Sequence, residues 1–124
     1  MKKVLVIDDE LDIRAVAQLA LEDFAGWEVR LASSGKEGIA MATESRPDAI
    51  LLDVMMPEMD GPATLKELRA QPATGDIPVV LLTAKVHEGH GGGLADLGAD
   101  GVVAKPFDPF SLAGQISRSL GWEE

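Results

Sequence analysis

The chain has no cysteine and no tyrosine, and its only aromatic residues are three Phe and two Trp. Without cysteine there is no disulfide, no thiolate metal site and no cysteine nucleophile, so the chemistry must use oxygen, and the chain fits a reducing compartment such as the cytoplasm. Basic residues are scarce as well: 11 Lys+Arg stand against 21 Asp+Glu, a formal net charge of −10. A surface of that sign repels phosphate backbones and anionic lipid, so neither nucleic acid nor membrane is expected as a direct partner. Long hydrophobic runs are missing. The stretch Val4 to Ile7 is cut by Asp8-Asp9-Glu10 too early for a signal peptide. No segment approaches the roughly 20 apolar residues of a membrane-spanning helix. What remains, 124 residues of which 46% are hydrophobic, suits one domain over residues 1–124 with an ordinary core.

Two textures alternate along that domain. Apolar runs rich in Val, Ile and Leu at Val4 to Ile7, Ala49 to Leu52, Ile77 to Leu82 and Val102 to Ala104 read as buried strands. Trp27 to Leu31 alternates apolar and polar residues, as a strand at a sheet edge does. Between the strands, Ile13, Val16, Ala17, Ala20 and Phe24 form a helical stripe. Ser34 with Glu37 has capping-box spacing for a second helix that stops before Pro47. Asp60 can cap a third helix with Pro62 in its first turn, Leu65 and Leu68 inward and Pro72 beyond its end. Asp108 and Pro109 open the last, with Leu112, Ile116 and Leu120 on one face.

A further helix between Thr83 and Gly98 would have to carry Gly89, Gly91, Gly92 and Gly93. Each costs about 0.8 to 1 kcal/mol relative to Ala in a helix interior, so this fourth helix is expected to be short or frayed. His87 and His90, beside those glycines, read as solvated loop residues. Five strands alternating with five helices imply right-handed crossovers and a doubly wound α/β domain with a parallel sheet.

In such a sheet, ligands gather outside the carboxyl ends of the strands. Asp8 and Asp9 end the first strand, Asp53 the third and Thr83 the fourth, and Lys105 follows the fifth. Three carboxylates, one hydroxyl and one ammonium therefore meet at one edge. Two carboxylates about 4 Å apart repel by about 4 kcal/mol at an effective dielectric of 20, and one Lys cannot neutralise three. An all-oxygen donor set with room for water suits Mg²⁺. An Asp beside such an ion can attack a phosphoryl group, which makes an aspartyl phosphate the expected product.

These residues stand in the segments Val4-Leu5-Val6-Ile7-Asp8-Asp9-Glu10, Ile50-Leu51-Leu52-Asp53-Val54-Met55-Met56-Pro57-Glu58-Met59-Asp60-Gly61, Leu81-Leu82-Thr83-Ala84, Gly98-Ala99-Asp100-Gly101 and Lys105-Pro106-Phe107. In that order and spacing the chain resembles the receiver domain of two-component response regulators, of the chemotaxis single-domain type. The resemblance implies a flavodoxin-like five-stranded sheet in the order 2-1-3-4-5. It makes Asp53 the phosphoacceptor for a phosphohistidine on a sensor histidine kinase or phosphotransfer protein. Asp9, Asp53 and the main-chain carbonyl of Met55 would bind Mg²⁺ directly, and Asp8 largely through water. Lys105 would contact the phosphoryl oxygens and Thr83 would turn towards them. The Lys105-Pro106 bond would be cis.

The sequence also departs from the pattern, because Val102 occupies the place where the family usually carries Tyr or Phe. The switch is then expected to run through Thr83 and the loop after it, with ordering of Val86 to Leu94 in place of a ring rotation. By resemblance the chain is a signalling switch rather than an enzyme acting on other substrates. As a stand-alone receiver it would act through protein contacts around its fourth helix, fifth strand and fifth helix, with phosphorylation-dependent dimerisation as one outcome. Two alternatives are a receiver cut from a longer regulator or hybrid kinase, and a Mg²⁺-dependent phosphohydrolase that forms the same aspartyl phosphate. The hydrolase would place Asp-x-Asp after its first strand, where this chain has adjacent Asp8-Asp9.

Overall fold

In a computed structural model, residues 2–84 and 98–122 are described. The elements run β1 (Lys3–Ile7), α1 (Leu11–Asp23), β2 (Glu28–Ala32), α2 (Gly35–Ser45), β3 (Ala49–Asp53), α3 (Gly61–Ala70), β4 (Val79–Thr83), β5 (Gly101–Ala104) and α4 (Leu112–Leu120). All four strand pairings are parallel, in the order β2-β1-β3-β4-β5. Four helices, not the expected five, stand among the described residues. The helix expected between Thr83 and Gly98, with His87, His90 and the switch stretch Val86 to Leu94, falls outside them.

Successive strand residues point to opposite faces, and here both faces are covered. Val4, Val6, Leu51, Val80 and Leu82 join Ala17, Ala20 and Leu21 of α1 and Leu112 and Ile116 of α4 in one cluster. Leu5, Ile7, Ile50, Leu52, Val79 and Leu81 join Ala42 of α2 and Leu65 and Leu68 of α3 in the other. This double burial makes the three central strands unbroken apolar runs. β2 is at an edge, and its Arg30 side chain points to solvent.

Several boundaries and faces differ from the sequence reading. In α1 the buried residues are Ala17, Ala20 and Leu21, whereas Val16 and Phe24 of the expected stripe are exposed. Phe24 instead stacks on the exposed Phe110 at a centroid distance of 4.7 Å. The last helix begins at Leu112, because Asp108 accepts the Phe110 amide at 3.0 Å and holds the chain in a turn. Ile77 precedes β4 rather than starting it. At α2 the Ser34 hydroxyl accepts the Glu37 amide at 3.1 Å, but Glu37 reaches back to the amide and hydroxyl of Ser33 rather than to Ser34. Asp60 caps α3 as expected, accepting the Ala63 amide at 2.9 Å.

Candidate functional site

The carboxyl ends of β1, β3, β4 and β5 converge on one edge of the sheet. Asp8 follows β1, and its Oδ1 accepts the Glu10 amide at 2.9 Å, a turn that leads directly into α1. Arg14, one turn into that helix, donates to the Asp8 carbonyl at 2.7 Å and pins the same turn from the other side. Asp53 closes β3, the strand enclosed by β1 and β4. Beyond it the chain folds back so closely that the Gly61 amide donates to the Val54 carbonyl at 2.9 Å. A Cβ on Gly61 would lie 2.5 Å from the Asp53 carbonyl oxygen, so only glycine fits. Lys105 follows β5 with its amide on the Thr83 carbonyl at 2.9 Å, and the Lys105–Pro106 peptide is cis.

These backbones place Lys105 Nζ 3.0 Å from Asp53 Oδ1 and 3.1 Å from Asp8 Oδ2. Asp8 is 0% and Asp53 2% exposed. Burial pushes the Asp53 carboxyl above its ordinary 3.8, and the charge of Asp8 adds to this, while Lys105 and the Met55 amide oppose it. Asp8 is raised for the same reason, against the Glu10 amide and Lys105. For Lys105 burial works against the ammonium, but its close contacts with the Asp53 and Asp8 carboxylates outweigh it, so its pKa is raised above 10.5.

One carboxylate oxygen from each of Asp8, Asp9 and Asp53 lies within 4.8 Å of the others, with Asp9 exposed at the mouth. Asp8 Oδ2 and Asp53 Oδ2 are buried and accept no hydrogen bond, and the approach of Lys105 to Asp8 Oδ2 is an ion pair only. A buried acceptor left without a donor is costly. Two such oxygens beside a third carboxylate form a hard, oxygen-only donor set that fits a divalent cation.

Of the residues expected from the sequence, Asp8, Asp9, Asp53 and Lys105 meet at this edge. Thr83 is buried one residue beyond Leu82, the register partner of Asp53, and Met55 leaves β3 with its side chain 69% exposed. Val102 is partly buried against the core cluster under α2 and α3. Glu10 entered the sequence reading only as part of a motif, yet it lies 3.3 Å from Lys105. Nothing in the spacing of Glu10 marks it; its place over Lys105 comes from the first turn of α1.

Comparison with known proteins agrees with this geometry. Residues 4–117 match the response regulator receiver domain. The probable transcriptional regulator ycf27 of Cyanophora paradoxa is 41% identical over 96% of the chain, and the chain spans about half the length of that relative, 48%. The chemotaxis protein CheY4 of Vibrio cholerae superposes with a TM-score of 0.88 at 36% identity, over 96% of this chain and 98% of that one. The receiver domain of the sensor histidine kinase PA1611 of Pseudomonas aeruginosa, solved with a magnesium ion in its active-site cleft, gives a TM-score of 0.85 at 29% identity over 97% and 98%. From its convergent strand ends to a match over nearly its whole length, the chain belongs to the response regulator receiver domain family of two-component signal transduction.

Proposed function

We infer that Asp53 accepts a phosphoryl group from a phosphohistidine on a sensor kinase or phosphotransfer partner. The observation that carries this reading is the state of the Asp53 carboxylate: Oδ1 is held by Lys105, and the buried Oδ2 has lone pairs engaged by no donor. An oxygen of Asp53 attacks phosphorus, the P–N bond breaks, and its electron pair stays on the imidazole of the donor, leaving an acyl phosphate. Asp8, Asp9, Asp53 and the main-chain carbonyl of Met55 would hold a Mg²⁺ ion, whose chemistry is to neutralise charge on the transferring oxygens. Lys105, 3.0 Å from Asp53 Oδ1, supplies a second positive charge. Thr83, at the end of the neighbouring strand, reports the new group to the fold. With Val102 packed on the core, that report runs without an aromatic ring.

The exposed side chains of Leu11 and Met55 each stand two residues beyond Asp9 and Asp53, where a phosphodonor protein would bury them. Intact-mass measurement with acetyl phosphate tests the reading. One phosphoryl group should be added in the presence of Mg²⁺ and none to Asp53→Asn. Repeated turnover of phosphomonoesters would instead support the hydrolase.

The free-standing form and the longer regulator share this chemistry. That curated relatives are about twice as long and named as transcriptional regulators favours the second arrangement, with output through an attached module. The size of the native protein in cell extract, 13.1 kDa or about twice that, separates the two.

A further inference from the structure

Lys105 faces a third carboxylate that the chemistry above leaves unused. Its Nζ lies 3.3 Å from Glu10 Oε1, in addition to 3.0 Å from Asp53 and 3.1 Å from Asp8. Glu10 is the N-cap of α1, where a side chain ordinarily accepts a hydrogen bond from the first turn, yet the Glu10 side chain caps nothing. Its backbone is fixed on both sides, the amide on Asp8 Oδ1 at 2.9 Å and the carbonyl under the Arg14 amide at 3.1 Å. A rigid turn thus carries this carboxylate to the mouth of the site and directs it at Lys105 instead of at the helix.

An ammonium has three N–H donors, and this one faces three carboxylates. A phosphoryl oxygen arriving on Asp53 competes with all three for the charge of this ammonium, and is held more tightly when one of them gives way. They are not equal: Asp8 and Asp53 are buried, whereas the Glu10 side chain is 61% exposed. A buried carboxylate deprived of its cation is left uncompensated. An exposed one is rehydrated, and its ion pair is weak. Resting on the phosphoacceptor reading, we propose that Glu10 is a positioning residue that holds Lys105 at the mouth of the unmodified site and is exchanged for the phosphoryl group when Asp53 is modified.

Loss of the Glu10 contact then favours the donor complex and the transition state equally, since Lys105 is on the phosphoryl group in both. With acetyl phosphate and Mg²⁺, Glu10→Gln should lower the half-saturating donor concentration about two- to fivefold and leave the saturating rate unchanged within error. Glu10→Asp keeps the charge but is one methylene too short for the contact, and should shift the same way. Before any phosphodonor is added, the Lys105 ammonium protons, followed by ¹⁵N NMR, should exchange faster in both variants than in the unaltered protein. An unchanged half-saturation in Glu10→Gln overturns the proposal, as does a Glu10→Asp variant that behaves like the unaltered protein, or an unchanged ammonium signal. Absence of label on the unaltered protein would instead overturn the phosphoacceptor reading, and this exchange with it.

Discussion

Gly61 lies against the backbone of Asp53: a Cβ there would stand 2.5 Å from the Asp53 carbonyl oxygen and 2.7 Å from the Cα of Val54. Both obstacles are main chain, so no side-chain rotation relieves them. Gly61→Ala must move either the start of α3 or the end of β3, the strand that presents the phosphoacceptor. A destabilisation of about 1 to 3 kcal/mol is expected, as for other overpacked sites. Thermal unfolding measures it, and the labelling rate of Asp53 should fall as well. An unchanged melting temperature with normal labelling would show that the contact is not as tight as the structure draws it.

The raised carboxyls of Asp8 and Asp53 make stability depend on pH and on divalent cation. Their folded pKa values lie above 3.8, so between that value and the folded ones the native state holds more protons than the unfolded chain. The linked stability is fully present below 3.8 and is lost as pH rises through the raised values. In metal-free buffer, Asp8→Asn should therefore gain on the unaltered protein as pH rises from about 4 to neutrality. Free Mg²⁺ at a hundred times its dissociation constant should restore about 2.7 kcal/mol to the unaltered protein, and less to the variant. Denaturant titrations at several pH values with and without Mg²⁺ check both signs.

How these sites could be read from the sequence follows from what fixes each of them. Val4 to Ile7 and Ala49 to Leu52 are unbroken apolar runs because both faces of the sheet are covered, so composition alone marks them. Asp8, Asp53 and Lys105 could be assembled from order alone, since parallel strands bring their carboxyl ends to one edge. Val16 and Phe24 could not be placed, because periodicity identifies a common face and not the neighbour that covers it. Arg69 was equally silent. It contacts Gly98 and Asp100, residues 29 and 31 positions away, and that meeting exists only after β4 and β5 have paired.

That arginine carries the next expectation. Arg69, near the end of α3, donates to the carbonyls of Ile77 at 2.7 Å and Gly98 at 3.0 Å and to Asp100 Oδ2 at 3.0 Å. Asp100 Oδ2 also accepts the Val79 amide at 2.8 Å, so one carboxylate ties α3 to the starts of β4 and β5. Arg69→Ala should cost about 1.5 to 3 kcal/mol, the range for hydrogen bonds to charged groups. Asp100→Ala should cost a similar amount. In the double variant the two losses should fall short of additivity by at least about 0.5 kcal/mol, because each single change already breaks the shared contact. Strict additivity would mean that the two residues act separately.

At the opposite edge of the sheet from the site, Trp122 meets Trp27 edge-on at a centroid distance of 5.5 Å, and Lys2 Nζ sits 4.3 Å above the Trp122 ring. The same Lys2 accepts the Glu28 amide at its carbonyl at 2.8 Å, so the ring closes over the seam between β1 and β2 as well as the end of α4. An edge-to-face aromatic pair adds about 0.5 to 1.5 kcal/mol beyond the area it buries, and an exposed cation over a ring about 0.5 to 1 kcal/mol. Trp122→Ala should therefore lower stability by about 1 to 2.5 kcal/mol. It should also expose Trp27, which is 8% accessible, and shift its fluorescence to the red. Because the ring lies far from Asp53, the half-saturating concentration of acetyl phosphate should not change. A loss of labelling in Trp122→Ala without a loss of stability would show that this edge communicates with the site.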